Sequence, residues 1–291
     1  IFKTIRRVLY IMKRSVVRNL KLFDVTMRDG LQSLKQVLPL YKKKEMVDFI
    51  YYTYKPNAIE IGSIVSPKYI PQLENSLELY QYCLDQKYNS DLYMLTPNIH
   101  ALKKAKNAGV KHFSFITSTS NSFQKKNTNK TLDETKTQFK NMYNLIDKDD
   151  KVKIYMSCVE ECPIEGKKPV IDISSEIFYY FFNFSDINQL CLSDTCGTLT
   201  LDSFKEIIHE LRGNIPVENI SLHLHKHKHN DDIPLIIEHA KQVGIYKFDV
   251  SASKNMGGCA MTIDSKKGLP PNIHYSDVEQ HYKILKNDIK F

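Results

Sequence analysis

Ile220-Ser-Leu-His-Leu-His225 alternates apolar and polar side chains at the period of a β-strand, and that alternation places two histidines on one face. It belongs to the run Asn219 to His225, one of eight apolar runs of strand length, the others being Leu20 to Val25, Asn57 to Ile61, Asp91 to Leu95, Val110 to Ile116, Val152 to Cys158, Ile187 to Leu192 and Ile245 to Val250. Helical patterns fill the intervals: Lys42 to Thr53, Asn98 to Asn107, Thr131 to Leu145, Leu201 to Leu211 and Asp232 to Val243. Several open on Thr, Asp or Pro and close near Gly109, Gly213 or Gly244. Strands alternating with helices imply parallel βαβ units, and eight such units imply an α/β fold of the (β/α)₈ TIM-barrel kind in a single domain. Such a barrel needs about 250 residues, and the chain has 291. A dinucleotide-binding sheet is disfavoured because no GxGxxG follows the first run.

Composition narrows the class further. With 42% hydrophobic and 25% charged residues the chain matches a globular protein. Its longest apolar stretch, Ile177 to Phe184, falls far short of the roughly 18 residues that span a bilayer. Disordered, collagenous and integral membrane classes are excluded. Six cysteines in a chain of this size are no disulfide scaffold. Cys158/Cys162 and Cys191/Cys196 lack zinc-knuckle spacing, so the thiols read as reduced and the protein as intracellular. Lys3, Arg6, Arg7, Lys13, Arg14, Arg18 and Lys21 precede the first acidic residue, Asp24, and account for most of the net charge of +8. Residues 1–19 are therefore set apart as a basic leader or an organelle transit segment, with the barrel domain over 20–291 and a mitochondrial or cytoplasmic location. No nucleic-acid motif accompanies the charge, so neither nucleic acid nor membrane is an expected partner.

In a barrel, reactive groups collect at the carboxyl ends of the strands. The polar residues here do so. The first run leads into Arg28-Asp29-Gly30, the second carries Glu60, the sixth runs into Ser193-Asp194-Thr195, the seventh ends on His223 and His225, and the eighth precedes Gly257-Gly258-Cys259. Two imidazoles on one face with Asp29 across the mouth form an N₂O donor set for a divalent ion, against the plainer reading of hydrogen-bonded structural histidines. Apolar alternation stops at His225, which puts His223 and His225 in the strand and His227 and His229 in the following loop. Because Arg28 and Asp29 are adjacent, the turn at Gly30 must bend for both to enter the mouth. Cys259 is either a small buried residue or, after two glycines, an acid on a movable loop.

Together with Val65-Ser66-Pro67-Lys68, Leu95-Thr96-Pro97-Asn98, Phe123 with Lys125-Lys126-Asn127, Ser157-Cys158, Cys162-Pro163 and Asp194-Thr195, these motifs resemble the 3-hydroxy-3-methylglutaryl-CoA lyase family from about Lys21 to Tyr282. The resemblance implies Mg²⁺ or Mn²⁺ held by Asp29, His223 and His225, with Asn272 as the fourth ligand. It implies a catalytic arginine at Arg28, a catalytic cysteine at Cys259, a supporting carboxylate at Glu60, and active-site polar residues at Lys35 and Asp194. His223 is a candidate proton acceptor, and Lys125 and Lys126 are candidates for the coenzyme A phosphates. The expected partners are an acyl-CoA substrate and a second copy of the chain in a homodimer.

The chain departs from the family after Cys259. A small-residue, glycine-containing segment is replaced by Ala260-Met-Thr-Ile-Asp-Ser-Lys-Lys-Gly-Leu-Pro-Pro271 before Asn272. Met261, Ile263, Lys266, Lys267 and two prolines are expected to stiffen this loop and slow turnover. Three readings follow: the lyase, a sister enzyme with the same enolate chemistry on another acyl-CoA or 2-oxo acid, and a non-catalytic barrel that binds metal or acyl-CoA.

Overall fold

The computed structural model describes residues 20–185, 187–226, 232–259 and 269–282. The basic leader, His227 and His229, and the substituted residues from Met261 to Lys267 lie outside them. Eight parallel strands form a closed barrel in chain order: β1 (Lys21–Asp24), β2 (Ala58–Ser63), β3 (Asp91–Leu95), β4 (His112–Ser118), β5 (Lys151–Ser157), β6 (Ile187–Ser193), β7 (Ile220–His223) and β8 (Lys247–Val250). Each strand pairs with its neighbours in sequence, and β8 closes on β1 with Asp24 opposite Val250. The expected barrel is therefore observed, with strand ends shifted by one or two residues.

Helices α1 (Leu40–Tyr54), α2 (Ser76–Asp85), α3 (Ile99–Asn107), α4 (Asn121–Thr128), α5 (Leu132–Tyr143), α6 (Val170–Asn183), α7 (Leu201–Leu211), α8 (Ile233–Val243) and α9 (Tyr275–Tyr282) form the outer layer. Their starts follow local chemistry. Thr131 caps α5 by accepting from Glu134 N while Glu134 returns to Thr131 N, satisfying two otherwise orphaned donors. Asn98 and Thr200 cap α3 and α7 by accepting from the amides of Ala101 and Ser203. Apolar residues from these helices and from the outer faces of the strands form one large core. A smaller cluster of Phe23, Val25, Ala58 and Tyr93 fills part of the barrel interior. Burying an aliphatic side chain of this kind contributes about 1.5–3 kcal/mol, which is why the helical ring holds the strand ends in fixed positions.

Two features of the mouth were expected differently. His225 is not part of the strand: β7 ends at His223, and His225 instead makes an isolated antiparallel bridge with Asn272. The chain leaves the barrel sheet there because β6, its neighbour, pairs only as far as Ser193 opposite His223. The bend that admits Arg28 and Asp29 together comes before Gly30, in a single π-helical turn over Thr26–Gly30 closed by Gly30 N donating to Val25 O at 3.1 Å.

Candidate active site

The π turn lifts both Arg28 and Asp29 into the mouth, where each is buried. Arg28 Nε donates to Glu60 Oε2 at 2.5 Å and an Nη donates to Asp29 Oδ1 at 2.6 Å. The guanidinium carbon also lies 5.0 Å from the centroid of Tyr155, whose hydroxyl donates to Glu60 Oε2 at 3.0 Å. Burial disfavours the charge on Arg28, but Glu60 and Asp29 more than compensate and raise its pKa well above the usual value. Burial likewise opposes the Asp29 carboxylate, yet Arg28 and the two imidazoles hold it well below the usual carboxylate range.

His223 and His225 are each fixed through Nδ1. His223 Nδ1 donates to Asp249 Oδ2 at 3.1 Å, and His225 Nδ1 donates to the backbone carbonyl of Asp194 at 2.8 Å. A carbonyl and an ionised carboxylate can only accept, so both Nδ1 atoms carry hydrogen, and in the neutral form of either ring Nε2 is the atom that presents a lone pair. Those two Nε2 atoms face each other at 3.1 Å. Two bare lone pairs at that separation repel unless a proton or cation lies between them. Burial pushes the pKa of His223 down, whereas Asp29 raises that of His225 against the effect of burial.

The remaining donors complete the corner. Asp29, His223 and His225 offer atoms that all lie within 4.8 Å of one another. Asn272 Nδ2 donates to Asp29 Oδ2 at 2.9 Å, while Asn272 Oδ1 is buried with no hydrogen-bond partner. An orphaned buried carbonyl oxygen is costly unless something electropositive meets it. The set of one carboxylate, two imidazoles and one amide oxygen therefore fits a divalent ion. Gly257 makes room for the Asn272 amide: its φ is +106° and a Cβ there would fall 2.1 Å from Asn272 Nδ2.

Cys259 is half-buried, packs against Phe123, Cys158 and Cys162, and lines a cavity of about 170 Å³ shared with Arg28, Asp29, His223 and His225. The preceding loop is tied to the site, since Gly258 N donates to Asp29 Oδ2 at 3.2 Å and Gly257 N to Ser33 Oγ at 2.9 Å. Glu60 lies one contact behind the cavity, under Arg28.

Other sequence candidates fall elsewhere. The Asp194 carboxylate accepts from the amides of Thr198 and Leu199, pinning the loop after β6, and burial raises its pKa to about 6. Asp194 meets the site through its carbonyl rather than its side chain. Lys35 is exposed and lines neither the cavity nor the groove beside it. That groove, of about 790 Å³, shares Val65, Ile70 and Pro97 with the cavity and is rimmed by Lys104, Lys126 and Lys130. Lys126 lines it; Lys125, one residue away on α4, does not. Tyr155, Lys153 and Asp249 were not singled out from sequence. The signal available for the last two was a charged residue at the centre of an apolar strand run, Val152-Lys-Ile and Phe248-Asp-Val.

The chain is similar to known proteins in sequence and fold. The chain is 29% identical over 246 residues to the mitochondrial hydroxymethylglutaryl-CoA lyase of Gallus gallus, covering 83% of this chain and 79% of that protein. It is 28% identical over 269 residues to the mitochondrial enzyme of the same name from Arabidopsis thaliana, covering 91% of this chain but only about half (54%) of that protein. The crystal structure of hydroxymethylglutaryl-CoA lyase from Pseudomonas aeruginosa superposes with a TM-score of 0.80 at 26% identity, covering 90% of this chain and 84% of that one. The HMGL-like family model matches residues 19–232, well over half of the chain, and the chain belongs to that family.

Proposed function

We propose that the chain is a divalent-metal-dependent carbon–carbon lyase that cleaves 3-hydroxy-3-methylglutaryl-CoA to acetyl-CoA and acetoacetate. The observation that carries this reading is the cluster of Asp29, His223 and His225 on the wall of the cavity shared by Arg28 and Cys259, with Asn272, its Oδ1 orphaned, hydrogen-bonded to Asp29 beside it. The names of the relatives support the substrate. With two oxygen donors and two imidazoles the site suits Mg²⁺ or Mn²⁺, which would acidify a chelated hydroxyl and stabilise charge on a carbonyl oxygen.

The chain's own residues supply the rest. Arg28, clamped between Glu60 and Asp29, is preorganised to meet oxyanion charge as the carbon–carbon bond breaks. His223 has one free lone pair, on Nε2, because Nδ1–H is committed to Asp249. It therefore serves as ligand or as proton acceptor in a given step, not both at once. The Cys259 thiol, on the cavity wall, delivers a proton to the carbon of the departing acetyl-CoA enolate. Lys126, on the adjoining groove, attracts the coenzyme A phosphates.

A coupled assay for acetoacetate release from 3-hydroxy-3-methylglutaryl-CoA tests this directly. Activity should require Mg²⁺ or Mn²⁺ and vanish with a chelator. Release from a different acyl-CoA but not from this one would assign a sister reaction. Binding of acyl-CoA without cleavage of any substrate would assign a non-catalytic barrel.

A further inference from the structure

Lys153 lies at the centre of β5 with its side chain wholly buried, and its ammonium pairs with Asp249 Oδ1. It sits 3.5 Å above the centroid of Phe23 and 4.7 Å from that of Tyr155, so it is walled by aromatic faces inside the barrel. A buried ion pair of this kind contributes little net stability, because desolvating both charges offsets their attraction, and an apolar replacement of similar volume is often neutral or better. Its position in the fold therefore calls for a different account.

That account is geometric. Asp249 uses Oδ1 on Lys153 and Oδ2 on His223 Nδ1 at 3.1 Å, with Cys191 Sγ a further donor to Oδ2 at 3.7 Å. With both oxygens committed, the carboxylate cannot rotate, and the imidazole bonded to it cannot turn either. His223 Nε2 is thereby aimed at His225 Nε2 and Asp29, at 3.1 and 4.0 Å. Tyr155 packs edge-on to His223, with ring centroids 5.7 Å apart, and closes the same layer of side chains.

We propose that Lys153 is a positioning residue that fixes the Asp249 carboxylate and, through it, aims His223 at the ion-binding corner; the inference rests on the metal reading given above. Groups one shell behind a ligand typically change metal affinity by about 10–100-fold when removed. The test is Mn²⁺ titration of the full chain, followed by the electron paramagnetic resonance of free Mn²⁺, with far-UV circular dichroism as the control for folding. Lys153→Met should bind Mn²⁺ at least about tenfold more weakly at unchanged helicity, and Lys153→Arg, which keeps a cation for Asp249, should recover most of the loss. A folded Lys153→Met with parental Mn²⁺ affinity overturns the inference. A parent that binds no Mn²⁺ overturns the metal reading beneath it instead. Should Lys153→Met fail to fold, the double variant Lys153→Met/Asp249→Asn removes both charges while leaving an acceptor for His223 Nδ1. Weaker Mn²⁺ binding there supports the inference, and parental binding overturns it.

Discussion

The Asp29–His223–His225 corner and the basic groove lie side by side at one end of the barrel, yet they are built on opposite terms. In the corner every donor is buried and held by a second group: Asp29 by Arg28, Gly258 and Asn272, His223 by Asp249, and His225 by the carbonyl of Asp194. On the groove, Lys126 stands exposed at the surface of a short helix. Buried groups act through fixed geometry in a low dielectric, so each is hard to replace. Exposed charges act through a screened field to which several side chains contribute, so each is replaced cheaply.

The contrast is broken most directly at His223. His223→Ala should weaken Mn²⁺ binding by more than about 100-fold, since loss of outer partners alone approaches that range. Lys126→Ala should leave Mn²⁺ binding unchanged. Comparable losses in the two titrations would mean that the corner is not the ion site.

Arg28 tests whether the corner does chemistry as well as binding. Arg28→Gln keeps a donor for Glu60 but loses the charge, so it should fold, hold Mn²⁺ within a few-fold of the parent, and lose about 10² or more in turnover. Near-parental turnover would reduce Arg28 to a structural clamp between Glu60 and Asp29.

How much of this was legible in the sequence depends on which face of a strand carried the information. β3 over Asp91–Leu95 and α7 over Leu201–Leu211 were read to the residue, because apolar periodicity and flanking breakers mark both. Arg28, Asp29, His223 and Cys259 were legible because polar residues at strand ends are conspicuous. Lys153 and Asp249 were not. In an alternating strand a charged residue reads as the solvent side, whereas in a closed barrel that side is the interior. The Asp194 role was hidden for another reason: its useful atom is a backbone carbonyl, which every residue has. Helices α2, α4, α6 and α9 were not named from the sequence, α6 because the unbroken apolar run Ile177 to Phe182 reads equally as a buried strand.

Asn272 gives a smaller effect than His223, because an amide oxygen is a weaker donor than an imidazole and three other ligand atoms remain. Asn272→Ala should lower Mn²⁺ affinity by about tenfold. Asn272→Asp separates two explanations for that loss. A carboxylate restores an oxygen donor beside the ion but places a like charge against Asp29 when the ion is absent. Recovery of Mn²⁺ affinity by Asp, with a lower melting temperature in chelator, would identify Asn272 Oδ1 as a ligand atom. Parental affinity in Asn272→Ala would make it a spacer that only supports Asp29.

The groove supplies the smallest effect and the finest discrimination. Successive residues on a helix point about 100° apart, so Lys125 and Lys126 cannot both face the same groove, and only Lys126 lines it. Lys126→Ala should raise the KM for acyl-CoA by about twofold to fivefold with kcat nearly unchanged, since an exposed ion pair contributes at most about 1 kcal/mol. Lys125→Ala should move KM by less than that. The Lys126 effect should also shrink as salt is raised from 0.01 to 0.15 M, because the Debye length falls from about 30 to 8 Å over that range. Equal KM shifts from the two lysines would mean that they act through a diffuse field at the rim, not through contact with phosphate. A salt-insensitive loss at Lys126 alone would argue the reverse, that it reaches a phosphate oxygen directly and that the groove, despite its exposure, is as specific as the corner beside it.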